Sequence, residues 1–217
     1  MPFDIQRGLM ILPPLLLSLS FHEWAHAWSA SRLGDDTAER MGRLTLNPLA
    51  HADLFGTILL PLLGVPFGWA KPVPVNPARF RRGVKMSTGM MITASAGPIS
   101  NFILATVCAV VIGVLARFAP GLLAPGNGVR DLLVMMVLLN VTLGVFNLVP
   151  LPPLDGSRIV DGLMPLRFRP AWDQFSRIAP FILLALLFLP GRPLSRMIAG
   201  PSDFVLGALQ RLVNAIV

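Results

Sequence analysis

Long apolar runs, separated by short polar segments rich in proline and glycine, dominate the chain. The first three cover residues 9–30, 90–115 and 132–149, and a shorter fourth covers residues 178–189. A helix that crosses a hydrocarbon core of ~30 Å needs about 20 residues at 1.5 Å per residue. The pattern therefore predicts an all-α polytopic membrane protein with about four transmembrane helices.

A fifth apolar run, at residues 54–69, has a different character because residues that disfavour a straight helix interrupt it. We expect a re-entrant or extended segment after the first helix instead of a further crossing. The interrupting residues are Gly56, Pro61, Gly64, Pro66 and Gly68.

Two other segments have recognisable patterns. Residues 71–77 alternate prolines with valines, which favours an exposed edge strand or an extended strip, because proline cannot donate to a central ladder. Residues 204–217 are amphipathic, which predicts a C-terminal helix lying at the membrane interface.

Composition supports the membrane interpretation and excludes a soluble domain. Hydrophobic residues make up 54% of the chain and charged residues 13%, with a mean hydropathy of +0.68. A length of 217 residues suits one membrane-embedded domain, residues 1–217. Within it we expect a catalytic core at about residues 9–160 and a helical extension at about residues 176–217. The single cysteine, Cys108, excludes a disulfide framework and a cysteine metal cluster.

The net charge of +7 does not indicate nucleic-acid binding. The arginines are scattered between apolar runs and form no basic patch interleaved with aromatic residues. We therefore expect the lipid bilayer, and no nucleic acid, as a partner.

The chemistry of the chain is concentrated in His22-Glu23-Trp24-Ala25-His26. In a helix, the i, i+4 spacing brings both imidazoles to one face, where two nitrogens can bind one zinc ion, and the intervening glutamate can reach a water molecule on the metal. This window holds two of the three histidines and one of the two glutamates in the chain. Ionisable groups inside a membrane helix mark a functional site by default.

A catalytic zinc ion needs a third protein ligand and an open position. The residues alone leave three candidates, His51, Asp53 and Asp155. Asp155 follows the third apolar run, where prolines end the helix and Gly156 allows a tight turn, so its carboxylate could face a cavity.

Several motifs in this order resemble the site-2 protease family of intramembrane zinc metalloproteases, in its compact bacterial form without a PDZ domain. The likeness extends over roughly residues 15–160. It includes His22-Glu23-x-x-His26, Ala96-Gly97-Pro98 followed by Asn101, Asn147-x-x-Pro150, Leu154-Asp155-Gly156, Asn47-Pro48-x-x-His51-x-Asp53 and the stretch at residues 68–77.

The resemblance implies a zinc endopeptidase that cuts within or near transmembrane segments of membrane-protein substrates. His22, His26 and Asp155 would bind one Zn²⁺ per chain, and Glu23 would be the catalytic general base. Asn147 would support the substrate or the oxyanion, with Asn140 as a weaker candidate for that role.

Alternatives remain open for the metal ligands and for the function of the chain. His51 could be a ligand, although as a lone histidine in a polar loop it more simply orders that loop or orients a neighbouring group that itself contacts the metal. A catalytically silent zinc-binding scaffold and a zinc channel or transporter are the rival functions. An accessory membrane protein or a second copy of the chain would be the further partner.

Topology links the ligands to one side of the bilayer. If residues 54–69 do not cross, the first and third apolar runs are parallel, and His22, His26 and Asp155 approach the same leaflet. That scheme places twelve of the eighteen lysines and arginines on one face, which the positive-inside rule makes cytoplasmic. We therefore expect a multi-pass protein of the cell (inner or plasma) membrane, with an external N-terminus and the active site in the cytoplasmic half of the bilayer.

Overall fold

The computed structural model describes residues 5–63, 68–191 and 193–217, and across these ranges the fold is helical without any strand. Short single turns include a π-helix at Leu54–Leu59 and a 3₁₀ turn at Pro77–Arg79. The helices are α1 Ile5–Leu33, α2 Thr37–Arg40, α3 Pro48–His51, α4 Leu60–Leu62, α5 Met86–Phe118, α6 Gly128–Asn147, α7 Asp155–Leu163, α8 Arg169–Phe188 and α9 Pro193–Ile216.

Three helical segments within the described ranges are long and apolar enough to cross a membrane: Met86–Phe118, Gly128–Asn147 and Leu166–Phe188. The first predicted span forms α1, but its serines and the polar residues of the His22–His26 window lower its hydropathy, and it is not among the three. The helical class and the membrane character are thus confirmed, whereas a count of four crossings stays a prediction.

The relative directions of α1, α5 and α6 decide where the site forms. His26 contacts Thr93 of α5, whereas the earlier His22 contacts the later Asn101, so α1 and α5 are antiparallel. Residues 119–127 are too few to run back along α5, and α6 therefore returns beside it. It follows that α1 and α6 run in the same direction, the arrangement that brings late residues of both helices to one level.

Residues 52–63 run along α1 toward its start, and residues 68–70 lie beside the beginning of this segment. The Thr57 hydroxyl donates to the Trp69 carbonyl at 2.7 Å, so the outgoing and returning limbs lie side by side. The far end packs on the start of α1, where a Cβ on Gly8 would lie 2.8 Å from the Pro61 carbonyl oxygen. This course fits the re-entrant segment expected from the sequence. Residues 64–67, which belong to the same expectation, lie outside the described ranges.

The C-terminal helix packs lengthwise on the bundle. Leu209 is buried with Ala105, Ala109 and Val141 in a core shared by α5, α6 and α9. At the end of α9, the Arg117 guanidinium donates to the Ile216 carbonyl at 3.1 Å. The amphipathic segment expected at residues 204–217 is thus part of a longer helix, which begins at Pro193. Its apolar side covers small residues of α5.

Candidate metal centre

Three ligand atoms from α1 and α7 meet at one point. His22 Nε2 and His26 Nε2 lie 3.0 Å apart, and Asp155 Oδ2 lies 3.1 Å from the first and 3.2 Å from the second. His22 is 5% and His26 9% exposed, and the Asp155 side chain is 13% exposed. Within the described ranges, these three side chains form the group of histidine and acidic residues that is placed to hold a metal ion. Neither His51 nor Asp53 belongs to it.

Hydrogen bonds on the far side of each imidazole fix which nitrogen faces this point. His26 Nδ1 lies 2.7 Å from the Thr93 carbonyl oxygen, which can only accept, so Nδ1 carries the proton. His22 Nδ1 likewise lies 2.7 Å from Asn101 Oδ1. With Nδ1 bonded in this way, Nε2 of each ring is the nitrogen that faces the other ring and Asp155 and can bind a metal ion.

Three acceptors that face one another at about 3 Å repel unless a cation or a proton lies between them. No side chain in the described part of the chain donates to Asp155 Oδ2. Tetrahedral zinc with ligands at 2.0–2.1 Å would separate its ligand atoms by about 3.3–3.4 Å, within a few tenths of the observed distances. Two imidazoles and one carboxylate, with Nδ1–H bonds behind the rings, are also the donor set and outer contacts that zinc prefers. The residues therefore fit a zinc ion.

One face of α5 forms the wall behind the two imidazoles. Thr93, Gly97 and Asn101 succeed one another at intervals of four residues, so they share this face. A Cβ on Gly97 would lie 2.4 Å from His26 Nε2 and 2.6 Å from His22 Cε1. Only glycine lets α5 approach the rings this closely, and the residues on either side of it hold their Nδ1 atoms.

Asp155 reaches the site because the chain turns sharply after α6. The helix ends at Asn147, before the prolines at 150, 152 and 153, and α7 begins at Asp155. A Cβ on Gly156 would lie 2.3 Å from the Leu148 carbonyl oxygen, so the turn folds directly onto the end of α6. The short loop thus brings the first carboxylate of α7 back to the level of α1.

Glu23 lies between the two ligand histidines and is held by the extended strip at residues 71–76. The Val73 N–H donates to Glu23 Oε2 at 2.9 Å. The strip itself has no strand partner in the described ranges. Instead the Arg43 guanidinium donates to the Lys71 and Pro72 carbonyls, and the Asn76 N–H donates to Asp35 Oδ2 at 2.6 Å. Side chains of α1 and the following loop therefore set the position of the strip beside the glutamate.

Known proteins with similar sequences identify the family of this chain. The profile of peptidase family M50 matches residues 122–190. The protein named "Putative zinc metalloprotease YwhC" of Bacillus subtilis is 40% identical over 190 residues, which are 87% of this chain and 84% of that protein. "Putative zinc metalloprotease Rip2" of Mycolicibacterium smegmatis is 31% identical over 68% of this chain and 54% of its own length. Rip2 of Mycobacterium tuberculosis strain H37Rv is 26% identical over 84% of this chain and 68% of its own length.

The chain belongs to peptidase family M50, the site-2 protease family. Its family and its three apolar helical segments make it a membrane protein. No solved structure matches it significantly.

Within this M50 chain, the two asparagines expected to support a substrate lie in different surroundings. Asn147 is half-buried at the end of α6, and its amide donates to the Leu143 carbonyl at 3.0 Å. Asn140 is fully buried and is bonded to Asn101, Ser18 and the Met136 carbonyl. The structure therefore places Asn140 behind His22, where its amide is already satisfied, and not beside the three ligand atoms. A substrate contact by Asn147 stays a prediction.

His51 is buried in the loop before the re-entrant segment. Its Nε2 lies 2.8 Å from the Thr45 carbonyl oxygen, and its own carbonyl accepts from the Lys71 N–H at 2.8 Å. These contacts order the loop and the start of the strip. The ligand role left open for His51 gains no support, because its imidazole is bonded within this loop.

Sequence reasoning left Thr93, Gly97, Asn101, Arg43 and Asp35 without a role. Gly97 and Asn101 carried a signal, since both belong to the quoted motifs. Thr93 could not be found in this way because it acts through its backbone carbonyl. Arg43 and Asp35 could not be found because their partners, at residues 71, 72 and 76, lie far along the chain.

Proposed function

We propose that this M50 chain is an intramembrane zinc endopeptidase that hydrolyses peptide bonds within or near transmembrane segments of membrane proteins. The observation that carries the proposal is the meeting of His22, His26 and Asp155 as three acceptors, with Glu23 next to His22 in α1 and its carboxylate held by the Val73 N–H. A scaffold would need the metal ligands but not a carboxylate at this position. The names of YwhC and Rip2 as zinc metalloproteases support the same chemistry.

The residues divide the reaction between them. His22, His26 and Asp155 bind zinc, which when bound supplies Lewis-acid activation of a water molecule and of the peptide carbonyl. Glu23 accepts the proton from the attacking water on a carboxylate oxygen and returns it to the leaving amine. The Val73 N–H holds Oε2 of the same carboxylate and so orients it.

A transmembrane substrate hides its carbonyls in helical hydrogen bonds and must unwind before it is cut. The strip at residues 71–76 is extended and lies beside the base, so it can pair with an unwound segment. Within the described residues, no group accepts from the Val75 N–H, which leaves a backbone donor for that pairing.

The parallel course of α1 and α6 supports an active site in one leaflet. His22 and His26 lie in the second half of α1, and Asp155 follows the end of α6. With the arginine-rich segments after α1 and before α5 assigned to the cytoplasm, this leaflet is the cytoplasmic one.

Cleavage assays on the purified full chain test the proposal. Wild type, Glu23→Gln and Glu39→Gln are assayed in detergent against a panel of single-span membrane proteins, with their soluble domains alone as comparison. Glu39 is exposed on α2, away from the ligands, and is the matched control because it is the only other glutamate. We expect cleavage at membrane segments by wild type and Glu39→Gln but not by Glu23→Gln. Equal cleavage by Glu23→Gln, or cleavage confined to the soluble domains, would contradict the proposal.

A further inference from the structure

A buried polar network lies behind His22, where α1, α5 and α6 meet. Ser18, Asn101 and Asn140 are each 0% exposed, among otherwise apolar neighbours such as Val141. Burying two amides in a membrane protein is costly unless every donor and acceptor is satisfied. Here the two amides are bonded to each other, to α1 and to α6.

The direction of each hydrogen bond follows from groups that can only accept. Asn140 Nδ2 lies 2.8 Å from the Met136 carbonyl oxygen, so the nitrogen end of this amide faces that carbonyl. Its Oδ1 therefore faces Asn101 and accepts from Asn101 Nδ2 at 2.7 Å. The same Nδ2 also lies 3.4 Å from the Ser18 carbonyl oxygen, which again requires a donor.

The serine agrees with this assignment. Ser18 Oγ donates its proton to the Pro14 carbonyl at 2.7 Å, and a lone pair of the same oxygen accepts from Asn140 Nδ2 at 2.8 Å. With Asn101 Nδ2 committed to donation, Asn101 Oδ1 is the atom that faces His22 Nδ1. A bond to this acceptor requires the proton of His22 to be on Nδ1.

We propose that Asn140 and Asn101 form an amide relay that fixes His22 as the Nδ1–H tautomer and thereby directs its Nε2 lone pair to the metal. Asn101 is the positioning residue for the ligand, and Asn140 with Ser18 positions Asn101. The inference rests on the zinc site of the proposed function and extends it to two residues that touch neither substrate nor metal.

A merely structural network would behave differently. Loss of one partner of a buried hydrogen bond lowers the stability of the fold, because the other partner is left unsatisfied. In a merely structural network that loss would leave the zinc affinity unchanged. In the relay, by contrast, an apolar residue at position 101 leaves His22 free to place its proton on Nε2, where it blocks the metal. Outer contacts of this kind change metal affinity by 10–100-fold.

The test measures zinc affinity of the full chain in detergent by competition with a chelator. Asn101→Leu removes the acceptor, whereas Asn101→Asp keeps an oxygen that accepts from Nδ1–H. Thr106→Val is the matched control, because Thr106 lies on the exposed side of α5 and its hydroxyl donates to the Phe102 carbonyl of its own helix. We expect Asn101→Leu to raise the zinc Kd about 10–100-fold. Asn140→Leu should raise it less, and so should Asn101→Asp, which keeps the acceptor for His22 but loses the donor to Asn140. Thr106→Val should remain near wild type.

A second readout does not depend on bound metal. The chain has only three histidines, so [¹⁵N]histidine labelling resolves their tautomers by NMR in the metal-free protein. We expect Nδ1–H at His22 in wild type and a mixture in Asn140→Leu, the milder variant that serves if Asn101→Leu does not fold. A zinc Kd for Asn101→Leu within twofold of wild type, an equal loss in Asn101→Asp, or an unchanged tautomer in Asn140→Leu would overturn the relay. Absence of zinc from the wild type would instead overturn the proposed function.

Discussion

The backbone N–H of Val73 donates a hydrogen bond of 2.9 Å to Oε2 of Glu23. One oxygen of the proposed base is thereby tied to the extended strip. The strip is also held by Asp35, between α1 and α2, and by Arg43, just after α2. The strip and the base thus form one unit. Substitutions can distinguish the roles of its two valines because, of their two N–H groups, only that of Val73 has an acceptor among the described residues.

Replacing Val73 by proline removes the N–H that holds Glu23. A hydrogen bond to a charged group contributes about 1.5–3 kcal/mol, so we expect kcat to fall roughly 10–100-fold while zinc remains bound. Val73→Ala keeps the N–H and is the control. Full activity in Val73→Pro would show that the strip does not orient the base.

Val75 tests the role of the strip in substrate binding. Val75→Pro removes a backbone donor that has no acceptor in the described part of the chain, and should raise KM or abolish cleavage with zinc content unchanged. Val75→Ala preserves that donor and should cleave normally. If both variants cut alike, pairing of the substrate through this N–H is wrong.

Gly97→Ala should weaken zinc binding, because the new methyl group would lie 2.4 Å from His26 Nε2 and 2.6 Å from His22 Cε1. The rings cannot withdraw without breaking the bonds to Thr93 and Asn101. We expect a loss on the order of 10–100-fold in zinc affinity, measured by chelator competition. Gly207→Ala is the control on α9, where a Cβ would meet nothing within 4 Å. Unchanged affinity in Gly97→Ala would contradict the close packing of α5 on the site.

A pH-dependent contribution to stability is expected outside the membrane helices, at Asp36. The hydrogen bond from the Arg40 guanidinium holds the pKa of the Asp36 carboxyl below its ordinary value, and the charges of Arg40 and Arg79 act in the same direction. A carboxyl whose folded pKa is lowered stabilises the fold above its unfolded pKa of about 3.9, and this contribution is lost as the pH falls through the folded pKa.

Melting of the metal-free protein between pH 6 and pH 3 measures this effect. Wild type should lose more stability over that interval than Asp36→Asn, and Arg40→Gln should reproduce part of the difference because it removes the largest cause. The same pH dependence in wild type and Asp36→Asn would rule the contribution out.

Local spacing accounts for the part of the site that could be predicted from the sequence. The i, i+4 interval of His22 and His26 brings both to one helix face. The prolines before α7, together with Gly156 directly after Asp155, indicated a turn at Asp155. By contrast, the ligand role of His51 remained open because nothing in its spacing shows whether a lone imidazole faces the metal or its own loop.

Contacts between distant elements could not be predicted in this way. Thr93 bonds to His26 through its backbone carbonyl, a group that every residue has, so its side chain gave no signal. The bond from the Val73 N–H to Glu23 depends on the path of the chain between α1 and the strip. The packing of α9 on α5 depends likewise on which side of the bundle its apolar face meets. Such contacts are set by helix directions and crossings, which leave no local pattern.

Zinc content tests the central claim most directly. Wild type, Glu23→Gln and Asp155→Ala are purified in detergent, and bound zinc is measured by elemental analysis. The account predicts about one zinc ion per chain in wild type and in Glu23→Gln, and little or none in Asp155→Ala, because Asp155 is a ligand and Glu23 is not. No zinc in the wild type, or as much zinc in Asp155→Ala as in the wild type, would contradict it.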